Sequence, residues 1–353
     1  MERDECYPAW GSGRGGAVSV RRLSLIAGLV GLLAAAALFS LTLGRFPVPA
    51  KSVADILLSQ VWAGEIRWTR YEELAVLNVR GPRVLAAMLV GAALAVAGAS
   101  YQSLFRNPLA APDILGVTAG SGFGASLALL LGLGPLAVQA FAFASGLLAV
   151  GLCFALGTLI RQQSMVMLVL SGIIVAACFN ALLSILKIVA DPVDVLPVIT
   201  FWLLGGLNRV TPGAIPPAFG LILASLAVMA VLRWQVTVLA SGAEEARAMG
   251  VRIGLVQFAL VLAATLMTAA AVGLAGTVGW VGLIVPHMAR LVAGGGFDRT
   301  LPVAALLGAL FLLVVDDICR SADAMEVPLS IVTALVGAPL FALLLYRERE
   351  DIA

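Results

Sequence analysis

Charge is scarce in this chain. Asp, Glu, Lys and Arg make up 12% of its 353 residues, hydrophobic residues make up 61%, and the mean hydropathy is +1.05. A soluble domain carries about 25% charged and 45–50% apolar residues, so a water-soluble globule is excluded. Histidine is scarcer still. His287 is the only one, which rules out a histidine cluster for zinc and leaves that side chain a structural reading. The four cysteines, Cys6, Cys153, Cys178 and Cys319, have neither metal-ligand nor redox spacing and read as small apolar fillers. No phosphate loop is present: the glycine-rich segment 116–124 lacks the Gly-Lys-Ser/Thr ending, and no strand precedes it. Paired catalytic acids and an H-E-x-x-H motif are also missing, which argues against an intramembrane enzyme.

What is present is a series of long, unbroken apolar runs. A transmembrane helix needs about 20 apolar residues, and the runs do not alternate as barrel strands would. The expected fold class is an all-α polytopic membrane protein with about ten transmembrane helices. The spans are expected at 23–43, 84–102, 120–133, 136–160, 165–189, 213–232, 255–273, 278–291, 301–315 and 330–346. Residues 1–22 form an N-terminal tail and 347–353 a C-terminal tail, both placed in the cytoplasm by their arginines, among them Arg21, Arg22, Arg347 and Arg349. The polar stretch 44–83 falls outside, with Trp62, Trp68 and Tyr71 as interface anchors. It ends at Arg80-Gly-Pro-Arg83, where Pro82 suits the first turn of a helix. A cytoplasmic turn is expected at 161–164.

Each acidic residue maps to a loop or a span end. A charge at mid-bilayer costs about 2.5–3.5 kcal/mol on insertion scales, and ion-coupled carriers tolerate that cost in order to bind their ion. The placement here therefore argues against proton or sodium coupling, although a secondary transporter remains the alternative class. In the fifth span, Ser171 and Asn180 are candidates for the lining of a translocation path.

One polar island, residues 233–254, interrupts the apolar runs, and its core reads as a short helix. Ser241 is placed to cap it, with Glu244 completing a capping box. Glu244 and Glu245 lie in the first turn and Arg247 in the last, as the helix dipole favours. Gly250 is placed to end it in the left-handed conformation. A helix this short is unstable alone, so it needs a surface to rest on.

The stretch RGPRVLAAMLVGAALAVAGASYQSLFRNPLAAPDILGVTAGSGFGA, from Arg80 onward, resembles the FecCD-type permeases of bacterial ABC importers for iron–siderophore complexes, haem and vitamin B12. The resemblance resumes at FWLLGGLNRVTP, SGAEEARAMGV, AGTVGWVGLIVPHMARL and VPLSIVTALVGAPLF, and covers residues 80–345. It implies a type II ABC importer permease fold over 23–346. It also implies a homodimer in the inner membrane, two cytoplasmic ATPase subunits, and a substrate-binding protein outside. No cofactor is expected in this chain; ATP and magnesium would sit on the ATPase subunits, and no nucleic acid is involved. By the same resemblance the short helix docks on an ATPase subunit through Glu244, Glu245, Arg247 and Met249, bounded by Gly242 and Gly250. Ala243 departs from the pattern, in which many relatives carry Glu. Arg80, Arg83 and Arg320 match the outward-facing arginines that receive the binding protein, with the segment from Arg320 to Pro328 one residue shorter than in some relatives. The cargo implied is a metal chelate, either a ferric siderophore or haem, with cobalamin or a molybdate-type oxyanion as alternatives.

Overall fold

The computed structural model describes residues 14–352, apart from 45, 63–65, 67, 160–164 and 322–325. The expected turn at 161–164 lies outside the described residues. Backbone polar groups have no water to bond inside a bilayer, so a chain this apolar satisfies them within helices. In order these are α1 (Arg14–Thr42), α2 (Ala50–Ser59), α3 (Arg70–Leu74), α4 (Gly81–Phe105), α5 (Val117–Leu130), α6 (Pro135–Leu159) and α7 (Met165–Val189). They continue with α8 (Val195–Leu203), α9 (Ile215–Ser241), α10 (Ala243–Ala248), α11 (Ile253–Ala275), α12 (Val281–Ala293), α13 (Phe297–Ser321) and α14 (Leu329–Ile352).

Among the described residues, seven helical stretches are long and apolar enough to cross a membrane, and α5, α12 and the first part of α14 are shorter apolar helices. Each of the ten expected spans corresponds to one of these. The centre is α4 and α11, whose most apolar windows are 78% and 72% buried, against 17–28% for α1, α6, α7 and α9. A helix that is apolar all round belongs inside, and the small residues of α4 let its neighbours come close. Gly91 meets the backbone of Gly308 on α13, and Gly98 meets the backbone carbonyl of Gly282 on α12. A β-carbon at either position would overlap backbone atoms that have nowhere to move.

The outer stretch 44–83 is more ordered than its polarity suggests. It contains α2 and α3, and a capping box opens α3. The Thr69 hydroxyl accepts from the Glu72 amide at 3.3 Å, and Glu72 accepts from the Thr69 amide at 2.7 Å. Helix α4 does not start fresh at Pro82. A π-helical segment, Ala75–Arg80, joins it to α3. Proline has no N–H, and its ring crowds the carbonyl four residues back. The chain accommodates this by widening its register, so that the Gly81 amide bonds to Val76.

Two interruptions set the depth at which the short helices begin. After α4, Arg106 turns left-handed (φ 49°) and the chain doubles back. Pro112 then packs beside Gly282 and the Leu94 carbonyl, halfway along α4. After α11, Gly276 (φ 70°) and Trp280 (φ 71°) make a second turn before α12 begins. Helices α5 and α12 are short because each starts part-way through the bundle.

Candidate functional site

The short charged helix is α10, and it sits at the junction of α9 and α11. Its C-terminal end has the expected geometry. Gly250 is left-handed (φ 77°), the Val251 amide bonds to Ala246 at 2.9 Å, and the Gly250 amide bonds to Arg247 at 3.0 Å. This is the Schellman closure, with its usual apolar contact: Ala246 and Val251 are both buried.

The N-terminal end differs from the expectation. Helix α9 runs through the first nine residues of the island and stops only at Ser241, so Ser241 is helical and does not cap α10. The N-cap is Gly242, with no side-chain bond, and the carboxylate of Glu245 lies over it. The capping box of Ser241 and Glu244 does not form. The physical reason is that Val236 and Leu239 are buried, so apolar packing carries α9 beyond the polar residues that mark the end of its span.

Glu244, Glu245, Arg247 and Met249 are all exposed, while Ala246 is buried. Helix α10 is therefore a knob fixed by one apolar residue and its caps, with its charged residues free. Behind it, the Arg106 guanidinium donates to the Leu239 carbonyl at 2.8 Å, tying the end of α9 to the end of α4. Arg22 donates to the Asp298 carbonyl, whose amide in turn donates to Thr237. Arg106 was legible in the sequence only as one basic residue at a helix end. Its partner is a backbone carbonyl 133 residues away.

The opposite end holds the three arginines expected on an exposed rim. They are buried: Arg80 is 6% exposed, Arg83 8% and Arg320 5%. Arg83 donates to both Asp316 oxygens, at 2.9 Å from Nε to Oδ2 and 2.9 Å from Nη2 to Oδ1, and to Glu326 at 3.0 Å. Arg320 pairs with Asp317 and bonds to Ser40. Arg80 donates to the backbone carbonyls of Leu41, Thr42 and Phe46. The expectation of free docking cations is corrected: the three guanidiniums clamp α1, α4 and α13 together. They lie inward because acidic and carbonyl partners from three helix ends converge there, which the sequence does not show. A cavity of about 400 Å³ beside the clamp is lined by Arg83, Glu326, Asn208 and Arg209, and of its two arginines Arg209 is the exposed one.

Three segments that carried the resemblance also meet at this end. The segment FWLLGGL closes α8, and its glycine pair is a turn. The Gly206 amide bonds to Ala275 at 2.8 Å, and the amides of Leu329 and Ser330 bond to Gly205 and Leu204 at 3.1 Å each. The turn thereby joins the end of α11 to the start of α14.

The two path candidates on α7 part company. Ser171 is 1% exposed and faces the interior of the bundle. Asn180 is exposed. Nine residues at 3.6 per turn place them on opposite faces, so they do not line one surface.

The profile of the FecCD transport family matches residues 32–347. The molybdate import system permease MolB of Haemophilus influenzae is 36% identical over 92% of this chain and 96% of its own length. The iron(3+)-hydroxamate import permease FhuB of Bacillus subtilis is 36% identical over 97% of this chain and 87% of its own. Among solved structures, an inward-facing putative metal-chelate type ABC transporter superposes with a TM-score of 0.82 at 34% identity, covering 92% of this chain and 99% of that one. With these matches, the ten apolar helices and the capped knob between α9 and α11, the chain belongs to the FecCD family of ABC importer permeases.

Proposed function

We propose that this permease works as a homodimer that carries a metal chelate, a ferric siderophore or haem, across a bacterial inner membrane. The single observation behind the mechanism is α10: a rigid helix whose charged residues are exposed while its caps and Ala246 hold it to α9 and α11. Such a knob suits a groove on a separate ATPase subunit on the cytoplasmic side, the side that would also hold both termini. Closure of a pair of ATPases on ATP would push α10, and with it α9 and, through Arg106, the inner end of α4. Conformational coupling needs a physically connected element that both sites bias, and this chain of contacts supplies one. The cargo assignment leans on the metal-chelate type of the similar solved structure.

At the far end a substrate-binding protein would meet a rim stiffened by the arginine clamp, with Arg209 as an exposed cation beside it. Exposed opposite charges speed and orient such encounters. The exposed face of α7, with Asn180, fits a position at the path or the dimer seam.

A molybdate-type oxyanion is the second reading, favoured by the similarity to MolB over nearly the whole of both chains; cobalamin is a third. Purified permease, reconstituted with the ATPase and binding protein that co-purify with it, tests all of this. ATP-dependent uptake of labelled ferric siderophore or haem is expected. Uptake of labelled molybdate or cobalamin alone would reassign the cargo. Accumulation driven by a proton or sodium gradient with no ATPase present would overturn the importer reading.

A further inference from the structure

Helix α1 is the span least held by packing. Its most apolar window is only 17% buried, so most of its surface has no neighbour within the chain. Polar ties at its two ends do what packing does elsewhere, and both run to α13. At the outer end Ser40, itself fully buried, donates to Asp317 at 2.7 Å and accepts from Arg320. At the inner end Arg22 donates to the Asp298 carbonyl at 2.6 Å, and its guanidinium lies 3.8 Å from the Asp298 carboxylate.

The inner tie is prepared by the local sequence. In a helix the Asp298 carbonyl accepts from the amide four residues on. That residue is Pro302, inside α13, and proline has no N–H. A buried carbonyl left without its helical partner needs another donor, and Arg22 is that donor. The Asp298 amide lies in the first turn of α13, where amides lack an intrahelical acceptor. It donates to the Thr237 hydroxyl at 3.3 Å. That hydroxyl has given its own proton to the Arg233 carbonyl at 2.9 Å, so it serves here as an acceptor. Asp298 therefore joins both α1 and α9 to the start of α13. Thr237 lies about one turn before Ser241, where α9 ends and α10 follows.

We propose that Arg22 is a positioning residue of the transport cycle, a role that rests on the importer and homodimer reading above. By holding the Asp298 carbonyl it makes α1 and α13 one strut. The strut carries the displacement of α9 from the junction behind α10 to the arginine clamp at the outer end. A helix tied at one end pivots, whereas two helices tied at both ends move together. Coupling between distant sites needs a physically connected element. Here the connection runs from Thr237 to Asp298 and Arg22, along α1 and α13, to Ser40, Asp317 and Arg320.

The test is a distance measurement by double electron–electron resonance on the full permease assembled with its ATPase. One spin label per protomer is attached at Phe39→Cys, near the outer end of α1, or at Trp234→Cys on α9, both exposed positions. The background is Cys6→Ser with Cys178→Ser, the buried Cys153 and Cys319 being left in place. The label-to-label distance across the dimer is read without nucleotide and with ATP and vanadate. With Arg22 intact, both distances should shift. In Arg22→Ala the Trp234 shift should remain and the Phe39 shift should be lost. Arg22→Lys, which keeps a donor on a long side chain, should restore it. Thr237→Val, which cuts the other bond at Asp298, should lose it as well. A full Phe39 shift in Arg22→Ala overturns the strut, as does a Phe39 label that stays still while Trp234 moves with Arg22 intact. Loss of both shifts in Arg22→Ala marks a purely structural role and overturns it too. Should Arg22→Ala not fold, a full Phe39 shift in Thr237→Val overturns it equally. A Trp234 label unmoved by ATP with Arg22 intact is a different failure: the importer reading falls, and the strut with it.

Discussion

The two ends of this bundle use the same residue types in opposite ways. At the α10 end, Glu244, Glu245 and Arg247 are exposed and the helix beneath them is held by backbone caps and one buried alanine. At the other end, Arg83, Arg320, Asp316 and Asp317 face one another, and the side chains themselves hold the helices. Charge identity alone does not say whether a residue awaits a partner or already has one. Where the backbone fixes the geometry, charges are free to recognise something outside. Where charged side chains fix it, replacing one removes the scaffold along with any surface it presents.

That contrast is broken most forcefully at Arg83. Arg83→Leu leaves the fully buried Asp316 uncompensated, and breaking a buried pair in this way costs about 3–5 kcal/mol. The expected result is a collapse in the yield of monodisperse protein, with partial recovery when Asp316→Leu is added. A charge reversal at Arg83 therefore cannot serve as a docking test. Normal yield and Tm in Arg83→Leu would return this residue to the role of a free docking cation.

Arg106→Ala should do less. It removes one bond from a partly exposed guanidinium, worth about 0.5–1.5 kcal/mol, so Tm falls modestly. Its larger effect should be on coupling, because the link between α9 and α4 is gone: ATP hydrolysis by the assembled transporter persists while uptake per ATP drops. Uptake per ATP at the wild-type value would remove Arg106 from the transmission path.

Glu244→Lys with Arg247→Glu sharpens the comparison from the other side. Both side chains are exposed, and reversing helix-end charges costs about 0.3–1 kcal/mol each, so the double variant should fold with a slightly lower Tm yet bind its ATPase poorly. A pull-down that recovers the ATPase in full would dismiss α10 as the contact surface.

The smallest effect is at the turn before α8. The Asp191 carboxylate accepts from the Val193 and Asp194 amides at 2.9 and 2.8 Å. The Asp194 amide first, and the Val193 amide second, hold its pKa below the ordinary 3.8. A folded pKa below the unfolded one contributes stability above the unfolded value and loses it as pH falls through the folded value. Amide exchange at Val193 and Asp194 should therefore quicken only in strong acid, and Asp191→Asn should shift that onset. An onset near neutral pH would show that a different group controls the turn.

The sequence alone settled the ten apolar helices, the approach of α4 to its neighbours through small residues, and the glycine end of α10. These depend on composition, hydrophobic period and local backbone preference, which act over a few residues. Only the tertiary structure decided that α9 runs on to Ser241, that Arg80, Arg83 and Arg320 are clamped inward, and that Ser171 is buried while Asn180 is exposed on α7. Each of those depends on what packs against the residue from far along the chain. Burial and pairing are properties of neighbours in space, whereas a charge pattern in one dimension records only where neighbours in sequence stand.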